Sequence, residues 1–188
     1  KLAEKDLAKP MFDRWATPAM SQKEVDREIA RLSEHLFLFT IDDRGAALTD
    51  ILARLKVCVK RHGVKGFILD PYNELEHVRP SGLSESEYIS DFLSKVRNFG
   101  RVYDVAMFIV AHPVKLPKKD DGTYPVPTPY DISGSAHWRN KADTCVAVWR
   151  NYADDCNAVW IYVQKVRDKN LGRTGYIPLQ WQRSTGVK

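Results

Sequence analysis

The 188 residues carry a net charge of +5, with 44% hydrophobic and 28% charged positions. That is enough chain for one domain with a real core, and no apolar run approaches the length of a membrane span. Cys58, Cys145 and Cys156 lack CxxC spacing and the five histidines form no ligand pattern, which argues against a disulfide framework or a zinc site and fits a reducing cytosol.

The opening KLAEKD has no apolar stretch, so it does not read as a signal peptide. It has no starting Met, and residues upstream are expected. Residues 1–20, broken by Pro10 and Pro18, predict a short helix and a loop. Ser21-Gln22-Lys23-Glu24 is a capping box, in which the Ser hydroxyl and the Glu carboxylate each satisfy a free helix N–H. Val25, Ile29, Leu32 and Leu36 follow at helical spacing. Residues 36–41 (LFLFTI) predict a buried strand ended by Asp42. A second helix is marked by Leu48, Ile51, Leu52, Leu55 and Val59 and ends near Gly63. Residues 66–71 (GFILDP) predict another strand.

A second capping box, Ser84 to Glu87, opens a helix carrying Ile89, Phe92, Leu93, Val96 and Phe99. Residues 105–111 (VAMFIVA) predict a third buried strand. A long Pro-rich loop spans 113–132. A short helix near 134–141 and a strand over 144–149 come next. Two more strands, 159–166 and 176–181, form a hairpin around Asn170-Leu171-Gly172. The alternation of helices with near-continuous apolar strands predicts an α/β fold, its parallel sheet covered on both faces, with an antiparallel C-terminal hairpin. No linker divides it.

In open α/β sheets ligands bind beyond the carboxyl ends of the strands. Asp70 stands at one such end. It suits magnesium held through water beside phosphates, or simply a turn before Pro71. His112 ends the next strand, where it suits a hydrogen bond to a terminal phosphate or a structural role. Alternation puts Lys165 and Arg167 on one face of a strand. Such a pair suits a neighbouring subunit's phosphate, or a solvated face. Lys115, Lys118 and Lys119 lie on the long loop, where lysines can follow a phosphate backbone, although Asp120 and Asp121 weaken any basic patch. Arg139 could reach a phosphate. Trp138 could stack on a base or be buried.

Taken in order, these stretches resemble the motor domain of RecA-type replicative DNA helicases: DnaB, the phage primase-helicases and Twinkle, the phage and Twinkle-like branch above all. FILDPYNELEH (67–77) looks like the Walker B strand and its loop. FIVAHP (108–113) looks like the next motif, whose last polar residue senses the terminal phosphate. DISGSA (131–136) matches the end of the second DNA-binding loop, and Lys165-Val166-Arg167 matches the Lys-x-Arg whose Arg reaches the next subunit's nucleotide. The resemblance implies a RecA-like, mostly parallel sheet flanked by helices. It also implies Mg²⁺ with ATP or another NTP, single-stranded DNA as partner, a hexameric ring, and a cytoplasmic, bacterial or phage-encoded protein. Asp70 would hold magnesium, His112 would sense phosphate, and Lys165 and Arg167 would act in trans. Lys115, Lys118, Lys119 and Arg139 would face DNA.

One departure qualifies all of this. No glycine is followed by Lys, so the phosphate-cradling G-x-x-x-x-G-K-[ST] does not occur. The resemblance therefore implies a partial motor domain over 1–188, beginning past the P-loop and the catalytic glutamate and inactive alone. It also implies that a central strand is absent between the strand ending at His112 and the strand around Val146. The alternatives are a non-catalytic RecA-like module that binds DNA or protein, and another RecA-type ATPase.

Overall fold

The computed structural model describes residues 2–13, 18–40, 47–75, 77, 79–150 and 158–180. Asp42, Glu76, Cys156 and Trp181 lie outside the described residues. The chain divides into two compact units, one of residues 1–40, 148–162 and 175–188, the other of 41–147 and 163–174.

In the first unit, α1 (Leu2–Leu7) precedes α2 (Gln22–Ser33). The expected capping box starts α2, with the Ser21 side chain accepting from the Glu24 amide and the Glu24 carboxylate accepting from Ser21. The Lys9 ammonium, 2.5 Å away, and the Ser21 donors hold the Glu24 carboxyl near pKa 2. Arg31 bridges Glu28, the buried residue of α2, to Asp6. Among the described residues the apolar stripe expected on α2 covers no core, and Ile29 is exposed. Residues 36–40 form no strand either, and Leu38 is 92% exposed. An apolar run becomes a buried strand only where a neighbour supplies ladder hydrogen bonds and a core covers a face. Among the described residues this run has neither.

The core lies in the second unit. It opens with α3 (Leu48–His62), ended by Gly63 in the left-handed conformation (φ 64°), where glycine carries no Cβ penalty. Strand β1 (Gly66–Leu69), helix α4 (Glu85–Tyr103) and strand β2 (Ala106–Ile109) then form a β-α-β unit. The two strands are parallel, with Leu69 opposite Ile109. Ser84 and Glu87 make the second expected capping box. Ile89, Phe92, Leu93, Val96 and Phe99 of α4 are all buried, against Ile51, Leu55 and Cys58 of α3 and Phe67 and Leu69 of β1.

Among the described residues the β1–β2 sheet is not covered on both faces as expected. Phe67 and Leu69 point into the core, while Ile68 is 70% and Phe108 59% exposed. The continuous apolar strand sequences are written for two covers, and the described residues supply one. Further along come α5 (His137–Lys141), β3 (Thr144–Trp149), β4 (Ala158–Val166) and β5 (Gly175–Gln180). The last three strands form a separate antiparallel sheet in the order β3-β4-β5. β2 and β3 thus belong to different sheets, and each has a single ladder neighbour among the described residues.

Candidate functional site

The ends of β1 and β2 are tied by main-chain bonds: Val110 N donates to Leu69 O, and Tyr72 N donates to Val110 O, each at 2.8 Å. Asp70 and His112 therefore leave adjacent parallel strands at the same end. Asp70 and His112 are both exposed. The Asp70–Pro71 peptide is cis. No group of three or more His, Cys, Asp or Glu residues gathers among the described residues. An all-protein cation cage is thus not formed there. A lone carboxylate at a strand end still suits magnesium, which keeps water and takes phosphate oxygens beside one or two carboxylates.

The loop that follows His112 is pinned at its base and turned tightly at its tip. Pro113 bridges Ile132, and Val114 N donates to Asp131 O at 2.8 Å. The Asp131 carboxylate accepts from the Thr128 amide and hydroxyl, closing a one-turn 3₁₀ helix. At the tip, Lys119 N donates to Thr123 O and Gly122 N to Lys119 O. The Asp121 carboxylate accepts from the Thr123 amide and hydroxyl, which holds its pKa below the ordinary value. Asp121 is therefore engaged locally. Lys115, Lys118 and Lys119 are exposed, with the Lys118 ammonium 5.3 Å from the Tyr124 ring centroid.

Helix α5 is anchored on α4. Lys141 Nζ donates to Ser90 O (2.7 Å) and Ser94 Oγ (2.5 Å), and Ser86 and Ser135 hydroxyls meet at 3.0 Å. Trp138 is buried, its indole N–H donating to Ser133 O and its ring edge-on to Tyr72 at 4.8 Å. Tyr72, two residues past Asp70, also meets Phe92 edge-on at 5.0 Å. Burial pushes its phenol up to about 12. Arg139 lies over the Tyr130 ring at 5.4 Å.

Gly134 enters this helix at φ 89°, and a Cβ there would lie 2.5 Å from both Glu85 Oε1 and Ile89 Cδ1. The Glu85 side chain can swing away, but Ile89 is fully buried. Gly134→Ala is therefore expected to cost about 1–3 kcal/mol of stability from backbone strain and overpacking, read as a lower urea midpoint.

Lys165 and Arg167 do share one face of the β4 strand and its continuation, as alternation requires, but that face is not simply solvated. The Lys165 ammonium donates to the carbonyls of Arg139 (2.5 Å), Ala142 (2.7 Å) and, more loosely, Asn140 (3.4 Å). These are carbonyls at the end of α5, which no later helical turn can satisfy. Burial, then the neighbouring Arg167 charge, lowers the Lys165 pKa. Arg167 Nη2 donates to Asn140 O (2.8 Å) and Ala142 O (3.2 Å), and Nε to Asp143 Oδ1 (2.7 Å). The three N–H groups of Lys165 are thus matched by three carbonyls. Arg167, 42% exposed at its side chain, keeps its Nη1 arm outside these bonds. The sequence reading missed the parts played by Asp143 and Tyr72. Asp143 sits in no motif, and Tyr72 lies inside the 67–77 stretch with nothing to mark it out. Only the packing of α5 reveals them.

No family model matches the chain. It is 37% identical over 193 aligned residues to the Twinkle homolog protein, chloroplastic/mitochondrial, of Arabidopsis thaliana, covering 99% of this chain and 27% of that protein. The chain therefore spans about a quarter of that relative's length. Among solved structures it resembles an ATPase domain, with TM-score 0.70 and 19% identity over 88% of this chain and 59% of that one. It also resembles a DnaB-like replicative helicase solved in a study of its interactions with primase, with TM-score 0.68 and 20% identity over 89% of this chain and 41% of that one. The chain has the RecA-like fold of these two solved structures, and its resemblance in sequence is to the Twinkle homolog protein. No helix among the described residues is long and apolar enough to cross a membrane.

Proposed function

We propose that this DnaB- and Twinkle-like domain is part of an NTP-driven replicative helicase that moves along single-stranded DNA as a hexameric ring. The observation that carries the reading is the pairing of Asp70 and His112 at the same end of two adjacent parallel strands, where α/β sheets bind ligands. In this reading Asp70 orients water around magnesium, which when bound neutralises phosphate charge. His112 donates a hydrogen bond to the terminal phosphate and so registers whether it is present. Arg167 reaches the nucleotide of the next subunit, and Lys165 joins it there only by releasing the carbonyls of α5. Lys115, Lys118, Lys119 and Arg139 follow the DNA backbone, a contact that carries charge but reads no sequence. The cradle for the inner phosphates has to come from outside these 188 residues, and this chain by itself hydrolyses little or nothing.

The test is NTP hydrolysis by the complete protein, with and without single-stranded DNA. Hydrolysis stimulated by DNA and lost on Asp70→Asn is expected. A complete protein that binds DNA without hydrolysing any NTP would overturn the reading. That outcome would favour a non-catalytic RecA-like module, the alternative to which the absence of G-x-x-x-x-G-K-[ST] from these residues points.

A further inference from the structure

We infer that Asp143 is a positioning residue for Arg167, gripping one side of its guanidinium so that the Nη1 arm alone is presented outward. The inference rests on the reading of Arg167 as the residue that reaches a neighbouring phosphate. Asp143 sits one residue before β3, just past α5, and holds Arg167 by two independent contacts. Its carbonyl accepts from the Arg167 amide at 2.8 Å, fixing the strand register at that point. Its carboxylate accepts from Arg167 Nε at 2.7 Å, fixing the side chain.

The remaining grip comes from the end of α5. Asn140 and Ala142 carbonyls accept from Nη2, so Nε and Nη2 are both engaged within the chain. A guanidinium is planar and carries five N–H donors in a fixed fork. Fixing two of its nitrogens therefore fixes the third. Nη1 is then aimed before any phosphate arrives, which is the condition under which a charge stabilises a transition state without reorganising.

The same carboxylate oxygen accepts from Arg97 Nη2 of α4 at 3.2 Å. Two cations on one oxygen tie the Arg167 grip to the helix that also anchors α5. The carboxylate is exposed at 61%, so its ion pairs are screened and its removal should leave the fold in place. Its effect is thus expected in catalysis, where misplacing a group by about 1 Å can cost up to about a hundredfold.

The experiment is a double-mutant cycle in the complete protein, read as single-turnover hydrolysis with single-stranded DNA so that slow variants remain measurable. Asp143→Ala is expected to lower the rate roughly tenfold, with nucleotide affinity unchanged. In an Arg167→Ala background the same substitution is expected to change nothing further, because the group it positions is gone. Asp143→Asn, which keeps an oxygen in place, should fall between the parent and Asp143→Ala, and it guards against a folding defect in the latter. A normal rate for Asp143→Ala, or the same fold-loss with and without Arg167, overturns the positioning role. Unchanged hydrolysis in Arg167→Ala alone overturns the trans reading itself, a result distinct from either.

Discussion

Arg167→Ala in the complete protein is expected to lower DNA-stimulated hydrolysis by about a thousandfold or more while leaving nucleotide affinity within a few-fold of the parent. An arginine placed in trans contributes where charge develops in the transition state, and an effect of that size is what such residues supply. Nucleotide binding in the ground state depends on the subunit's own phosphate cradle, which a residue acting in trans does not form. Rate and affinity therefore separate. Equilibrium titration of a nucleotide analogue, alongside hydrolysis, reads both. A loss of binding that matched the loss of rate would argue against a residue acting in trans.

The substitution has a second consequence that the structure makes specific. Arg167 satisfies carbonyls at the end of α5, and Lys165 satisfies overlapping ones. Because Lys165 remains, α5 should stay formed in Arg167→Ala. Hydrogen exchange at the α5 amides is therefore expected to quicken only modestly. Arg167→Lys is not a conservative rescue, since a lysine has no fork with which to hold Asp143 and present a further arm.

Much of the fold was legible because its signals are local. Both capping boxes form as read, since Ser21–Glu24 and Ser84–Glu87 need only their own helix starts. Gly63 ends α3, and 66–69 and 106–109 are strands. What failed were statements about neighbours. The run at 36–40 has the composition of a buried strand, but strand formation depends on a ladder partner that composition cannot report. Ile68 and Phe108 look like doubly covered positions, yet both are exposed among the described residues, because composition does not report what packs on a face.

The candidate site divides in the same way. Asp70 and His112 could be placed from strand ends alone. Alternation put Lys165 and Arg167 on one face. It could not say that this face meets the end of α5, because α5 is brought there by Lys141, Ser135 and Trp138 packing on α4 and Tyr72. Asp143 became visible only once that packing was known.

Phe92→Ala is expected to be the most destabilising single change in the core, by about 3–5 kcal/mol. Phe92 is 2% exposed and belongs to the core cluster that α4 builds with Ile51, Leu55 and Leu69. Truncating it removes most of a ring and leaves a cavity that rigid neighbours cannot fill. The loss is a large share of the roughly 5–15 kcal/mol that stabilises a typical domain. Urea unfolding should show a lower midpoint at unchanged slope. An unchanged midpoint would mean that the ring is not packed as described.

The same substitution reaches the site through Tyr72. Phe92 meets the Tyr72 ring edge-on, and Tyr72 in turn meets Trp138. Burial raises the Tyr72 phenol to about 12, with Tyr88 and Glu85 adding smaller upward effects. A raised folded value means that the neutral phenol favours folding at low pH. That contribution is whole below the unfolded value near 10 and is lost as pH rises from about 10 through about 12. A cavity at Phe92 admits water beside the phenol, so in folded Phe92→Ala the Tyr72 value should fall towards 10. Difference ultraviolet titration against the parent should show one tyrosine ionising earlier. Because Tyr72 follows Asp70 by two residues and supports the helix that carries Arg139, the variant should also bind single-stranded DNA less tightly, with no charged residue removed. An unchanged affinity in a variant that still shows the early phenol titration would mean that the aromatic contact is confined to stability.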